Sequence, residues 1–263
     1  MKSTYLLGVR LDCLTTAQVY QQCRDFLISP IQKNRLIVTV NSEFIVLAQT
    51  DQRFKDILNK AELCLVDTTG VVLMAKLFLG QWLNRLPGAD FFWPLLKLAK
   101  EQGSGVYFLG GRQNSSQKTA EIVQQKYPTL KVVGFNEGPQ FQIKDSKIFF
   151  NEEQSKVNDQ VLAEINQQRP EVLLVAFGAP KQEYWLAEYL NSCPSVKIAI
   201  GVGGTFDFVA GLVARAPQSW RSIGLEWLWR LICEPWRYRR IFTALIKFPF
   251  LCFNYYIINK KIK

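Results

Sequence analysis

Asp67 ends an apolar run, Leu63-Cys64-Leu65-Val66, and stands beside Thr68 and Thr69. The chain of 263 residues contains no histidine, so the usual general base and the commonest zinc ligand are both missing. A carboxylate at the mouth of a cleft is then the natural proton acceptor, and Asp67 is the best placed for it. Capping the helix that starts near Gly70 is an equally open use of the same side chain. Asp207, in Gly203-Gly204-Thr205-Phe206-Asp207-Phe208, reads either as a helix cap or as a ribose contact. No DxD, HxH or other carboxylate cluster occurs, so neither a dedicated divalent-metal site nor a cofactor is expected.

A second kind of chemistry is anion binding. Val172 to Ala176 reads as a buried strand, Gly178, Ala179 and Pro180 as a tight turn, and Lys181, Gln182 and Glu183 as the first turn of a helix. Free backbone N–H groups at such a helix start favour an anion. The pairs Gly110-Gly111 and Gly203-Gly204 also follow strands and feed helices, where missing side chains let backbone approach a phosphate. Taken alone, each pair is better explained by a plain tight turn than by a phosphate. Neither GxGxxG nor GxxxxGK[ST] is present, which counts against a dinucleotide dehydrogenase and a P-loop NTPase.

Positioning these groups requires strands that end together. The sequence predicts a strand or hairpin and a helix (16–27) within residues 1–30, then strands at 36–40, 61–67, 105–111, 131–135, 172–176 and 196–202. Helical patterns intervene at 42–50, 71–79, 90–102, 115–127, 160–168 and from 181. Residues 136–160 are polar and read as a loop or insertion. Strands alternating with helices predict an α/β, Rossmann-like, doubly wound and mostly parallel sheet. Its strand ends would gather Thr39, Asn41, Asp67, Gly110, Gly111, Arg112, Gly178, Gln182, Gly203, Gly204 and Asp207 along one edge, where open sheets bind ligands. The alternation stops near residue 214, which sets the expected boundary between an α/β domain (1–214) and a C-terminal appendage (215–263).

Charge marks the same boundary. From residue 215 the chain has ten basic residues, Lys260, Lys261 and Lys263 among them, against Glu226 and Glu234, and so holds +8 of the net +10. Tryptophans 220, 227, 229 and 236 are interleaved with these cations. The apolar run 241–259 is interrupted by Lys247 and Pro249, which suits a helix lying in an anionic membrane surface better than one crossing it. Packing on the domain, an oligomer contact with a second copy, and single-stranded nucleic acid are the alternatives; the long aliphatic–aromatic runs favour lipid, and no nucleic-acid partner is expected. The opening residues lack the pattern of a secretory signal, and six scattered cysteines without a CxxC pair fit free thiols in a reducing compartment. Both features point to a cytoplasmic protein, which a lipid-facing tail would make peripheral on the inner face of the membrane.

Taken in order, TVNSEF, VDTTGVVLMAK, LPGADFF, VYFLGG, VAFGAPKQEYW, IGVGGTFDFVAG, RAPQSW and GLEWLWRLICEPWRYRR resemble the WecG/TagA/CpsF glycosyltransferases. The likeness runs over roughly residues 5 to 245. It implies inverting, metal-independent transfer of an N-acetylmannosamine-type sugar from a UDP donor to a lipid-linked acceptor, typically undecaprenyl-diphosphate-GlcNAc, in cell-surface polysaccharide synthesis. By the same resemblance Asp67 is the catalytic base of a PDG motif that here reads Val66-Asp67-Thr68, with proline and glycine both replaced. Thr39, Asn41, Arg85 and Gln182 fall on substrate-binding positions. Arg230, Arg237 and Arg240 fall on tail arginines that close over the donor diphosphate. A nucleotide-cofactor oxidoreductase, and a non-catalytic membrane- or RNA-binding protein on the same fold, are the competing readings.

Overall fold

The computed structural model describes residues 2–30, 33–222 and 224–258; Lys260, Lys261 and Lys263 of the basic tail lie outside them. A hairpin of β1 (Ser3–Leu6) and β2 (Val9–Asp12) precedes helix α1 (Thr16–Ile28), which opens on a capping box of Thr15 and Gln18. Next come β3 (Arg35–Val40), α2 (Ser42–Leu47), α3 (Gln52–Lys60), β4 (Leu63–Val66), α4 (Thr69–Leu79) and α5 (Gly88–Glu101). The second half of the sheet brings β5 (Gly105–Gly110), α6 (Ser115–Lys126), β6 (Lys131–Asn136), a small hairpin of β7 (Gln142–Lys144) and β8 (Lys147–Phe149), and α7 (Glu152–Gln168). Then follow β9 (Val172–Ala176), α8 (Lys181–Tyr189), β10 (Ile198–Gly201), α9 (Thr205–Val209), α10 (Gln218–Ser222) and α11 (Glu226–Cys233). A nearly continuous helical run ends the described chain, with α12 (Tyr238–Phe242) and α13 (Phe248–Phe253) as its α-helical parts.

Six strands form one sheet in the order β4-β3-β10-β9-β5-β6, and every neighbouring pair is parallel. The chain winds outward through β3 and β4, crosses to β5 and β6, and fills the middle last with β9 and β10. That is the doubly wound α/β architecture expected from the alternation. Strands β9 and β10 are buried at every position, because helices cover both faces of a parallel sheet and leave no polar side for alternation. All six strands present their carboxyl ends to one edge.

Residues 136–160 depart from the loop reading. Asp145 and Ser146, at φ of 47° and 59°, turn the β7–β8 hairpin. Helix α7 starts eight residues earlier than the 160–168 pattern suggests, because the Asn151 side chain accepts the Gln154 N–H at 2.8 Å and secures its first turn. Val157, Val161 and Ile165 form its narrow apolar stripe. So sparse a stripe in a polar segment leaves little periodicity to detect.

Beyond residue 214 the described chain is helical, and Phe248 and Cys252 are buried in the same cluster as side chains of α2 and α4. Among the described residues no helix is long and apolar enough to cross a membrane.

Candidate active site

At the carboxyl edge of the sheet lies a cleft of about 1380 Å³. Asp67, Thr39, Asn41, Arg85, Gln182, Gly111, Gly178, Gly203, Gly204, Asp207, Arg230, Arg237 and Arg240 all line it. Gly110 does not. At φ +97° its Cα faces the carbonyl carbon of Ala176, and a Cβ there would lie 2.8 Å from that atom. Gly110 therefore serves the close approach of β5 to β9 rather than contact with a ligand.

Asp67 follows β4, and its N–H continues the ladder to the Val40 carbonyl at 2.9 Å. Its side chain does not cap α4, whose N-cap Thr68 makes no side-chain capping hydrogen bond either. Instead Asp67 Oδ1 accepts the Gly88 N–H, the first of α5, at 3.1 Å. Burial pushes the carboxyl up to about 6; the Gly88 N–H and the Arg85 and Arg230 guanidiniums pull the other way, and Glu226 adds to the rise. A carboxylate so poised is a competent proton acceptor near neutral pH. Thr39, buried at the end of β3, and the Gly88 backbone sit together, since a Cβ on Gly88 would meet Thr39 Oγ1 at 3.4 Å.

Asn41 is an N-cap: its Oδ1 accepts the Phe44 N–H at 2.9 Å and starts α2. Gln182 is buried, and its amide is engaged at both ends. Nε2 donates to Glu183 Oε1 at 2.8 Å, and Oε1 accepts the Gly203 N–H at 3.0 Å. Gln182 thereby ties the start of α8 to the Gly203-Gly204 turn after β10. Its amide rests directly on Gly201, where a Cβ would lie 2.3 Å from Nε2. Glu183 is buried beside it and pushed up to about 8 by desolvation. Asp207 caps no helix; Arg112 Nε stands 3.3 Å from its Oδ2.

The tail supplies cations. Arg230 and Arg237 share the buried carboxylate of Glu234, at 3.3 Å and 2.8 Å. Arg230 also lies over the Phe208 ring, 4.8 Å from its centroid. Arg240 pairs with Glu43 at 2.7 Å. From the other wall, Arg85 Nη2 donates to the Arg221 carbonyl at 3.4 Å, and the Arg85 backbone bridges Val66. Sequence reasoning missed Glu234, Glu43 and Glu226 as members of the site. The i, i+4 and i, i+3 spacing of Glu234 to Arg230 and Arg237 was the available signal; nothing local links Glu43 to Arg240.

A cleft at the strand ends, a poised carboxylate and a roof of arginines suit transfer of a group away from an anionic leaving group. The profile of the Glycosyl transferase WecG/TagA/CpsF family matches residues 4–262. The chain belongs to this glycosyltransferase family. Among relatives in the WecG/TagA/CpsF family, two proteins named N-acetylglucosaminyldiphosphoundecaprenol N-acetyl-beta-D-mannosaminyltransferase come from Bacillus. The one from Bacillus spizizenii is 31% identical over 80% of this chain and 76% of its own length. The one from Bacillus subtilis is 30% identical over 79% and 75%. A Staphylococcus aureus protein of the same name is 28% identical over 98% of this chain and 94% of its own.

Proposed function

We propose that this glycosyltransferase moves an N-acetylmannosamine-type sugar, with inversion, from a UDP donor to a polyprenyl-diphosphate-linked GlcNAc acceptor. The printed activity of the relatives supports the substrate classes. The observation that carries the chemistry is Asp67, raised to about 6 in the cleft that the arginines of the tail also line.

In this reading Asp67 takes the proton of the attacking acceptor hydroxyl. The hydroxyl oxygen bonds to the anomeric carbon from the face opposite the nucleotide, and the bond from that carbon to the diphosphate oxygen breaks. The electron pair leaves with UDP. Arg230, Arg237 and Arg240 neutralise it, and the Gly204 N–H, beside the Gly203 N–H that Gln182 already holds, adds a hydrogen bond. These cations fill the role that a divalent ion has in many nucleotide-sugar transferases. Diphosphate binding then competes with Glu234 and Glu43 for guanidinium groups already held in place. The tail (215–263) is at once a lid on the cleft and an anchor to the anionic inner surface of the membrane.

Asp67→Asn tests the reading. It lowers transfer from UDP-N-acetylmannosamine to a synthetic polyprenyl-diphosphate-GlcNAc by roughly 10²- to 10⁴-fold while the fold, followed by circular dichroism, persists. Full activity in that variant removes the base. A panel of UDP-sugars with the same acceptor identifies the donor.

A further inference from the structure

Helix α4 opens at the cleft, where Thr69 and Gly70 are part of the lining, and carries a row of leucines out of it. Leu73 is 51% exposed, Leu77 is 59% exposed, and Trp82, just past the helix, is 71% exposed. Successive helical residues turn by about 100° around the axis. Leu73, Leu77, Met74 and Phe78 therefore follow one another around the helix as a single apolar arc. Its inner end is covered by the tail: Phe78 meets Phe253 edge-on and stacks on Tyr256, both with ring centroids 5.2 Å away. The exposed leucines are thus continuous with the exposed Phe250, Phe253 and Tyr255 of the C-terminal run.

Cations accompany this band and anions do not. Lys76 lies over the Trp82 ring at 5.9 Å, and Arg239 and Lys247 are exposed on the tail. Helix α4 contains no acidic residue, and no Asp or Glu follows Glu234 in the sequence. Two copies of such a face would bring like charges together, whereas an anionic bilayer offers acyl chains to the leucines and phosphates to the cations.

We infer that the α4 ridge of Leu73, Leu77 and Trp82 is a second lipid-contacting element, which docks with the tail as one face on an anionic bilayer. The inference rests on the reading of the tail as lipid-facing and extends that contact to a helix of the α/β domain. Leu73 and Leu77 lie roughly 6 and 12 Å along the helix axis from Thr69. Docking by this ridge sets the reacting cleft at the bilayer surface, where a lipid-linked diphosphate resides.

The test is co-sedimentation of the full chain with vesicles of phosphatidylcholine and phosphatidylglycerol. Leu73→Ser combined with Leu77→Ser lowers partitioning by at least about tenfold, the scale of removing two half-exposed leucines from an apolar contact. Melting temperature and turnover of a short-chain, water-soluble acceptor stay unchanged, because neither leucine lines the cleft. Trp82→Phe removes part of the fluorescence quenching by brominated lipid. Partitioning unchanged in the leucine variant but lost in Phe250→Ser with Lys247→Glu overturns the ridge and leaves the tail reading intact. A wild-type chain that fails to partition removes the tail reading and the ridge with it. If light scattering shows a wild-type dimer that the leucine variant turns into monomer, with vesicle binding unaltered, the face belongs between copies and the inference falls.

Discussion

The first backbone N–H of α5, on Gly88, points at Asp67 Oδ1 from 3.1 Å. One turn of helix thus fixes the carboxylate that would otherwise be free to rotate at the strand end, while burial keeps its proton affinity high. In the sign of its charge the site is a compromise: two guanidiniums and an N–H favour the anion, and desolvation with Glu226 opposes it.

That balance predicts a pH profile. With the carboxyl at about 6, transfer rises as pH passes through that value and levels off above it; steady-state rates from pH 5 to 8 measure the inflection. Asp67→Asn removes the rising limb and lowers the rate by roughly 10²- to 10⁴-fold.

Stability moves the opposite way. A carboxyl raised from 3.8 to about 6 binds its proton more tightly in the folded than in the unfolded chain. The folded state is therefore favoured at low pH, and that advantage disappears as pH rises through about 6. Asp67→Asn, which never carries the charge, is accordingly more stable than wild type at pH 8 by up to about 3 kcal/mol and equal to it only below the unfolded value, near pH 3. Denaturant melts at the two pH values give the difference.

Glu234 holds Arg230 and Arg237 together. Replacing it by Gln leaves two cations facing each other without the carboxylate they share, and destabilises the fold by about 1–3 kcal/mol. Chemical denaturation reads the loss, and high salt relieves part of it.

Arg230→Ala and Arg240→Ala each raise the KM for the UDP-sugar about tenfold, the scale of one charge-assisted hydrogen bond to phosphate. Initial rates against donor concentration at saturating acceptor provide the comparison. An unchanged KM in both variants separates these arginines from the donor.

Gly201 and Gln182 are coupled by contact, since any Cβ at Gly201 meets the Gln182 amide. Gly201→Ala costs about 1–3 kcal/mol by overpacking. Adding Gln182→Ala makes room and restores part of it, so the two changes are non-additive in a double-mutant cycle of denaturation free energies.

How much of this was legible in advance differs by residue. Leu63 to Val66, Val172 to Ala176 and Ile198 to Gly201 declare themselves as strands because burial on both faces demands unbroken apolar runs, and so the parallel sheet and the edge bearing Asp67 follow from the order of residues alone. Helix α7 was legible only in part, since its cap and thin stripe lie in a polar segment. The partners of the functional groups were not legible. Arg240 meets Glu43 across 197 positions of chain, and the Gln182 amide is oriented by Glu183 on one side and Gly203 on the other. Likewise the exposed leucines of α4 border the tail where Phe78 packs on Phe253 and Tyr256. Local sequence carries periodicity, capping and turn chemistry, and so determined the elements and their order. Which charges neutralise one another, how far a carboxylate is desolvated and which apolar faces stay uncovered depend on distances between remote segments, and only the tertiary structure decided those.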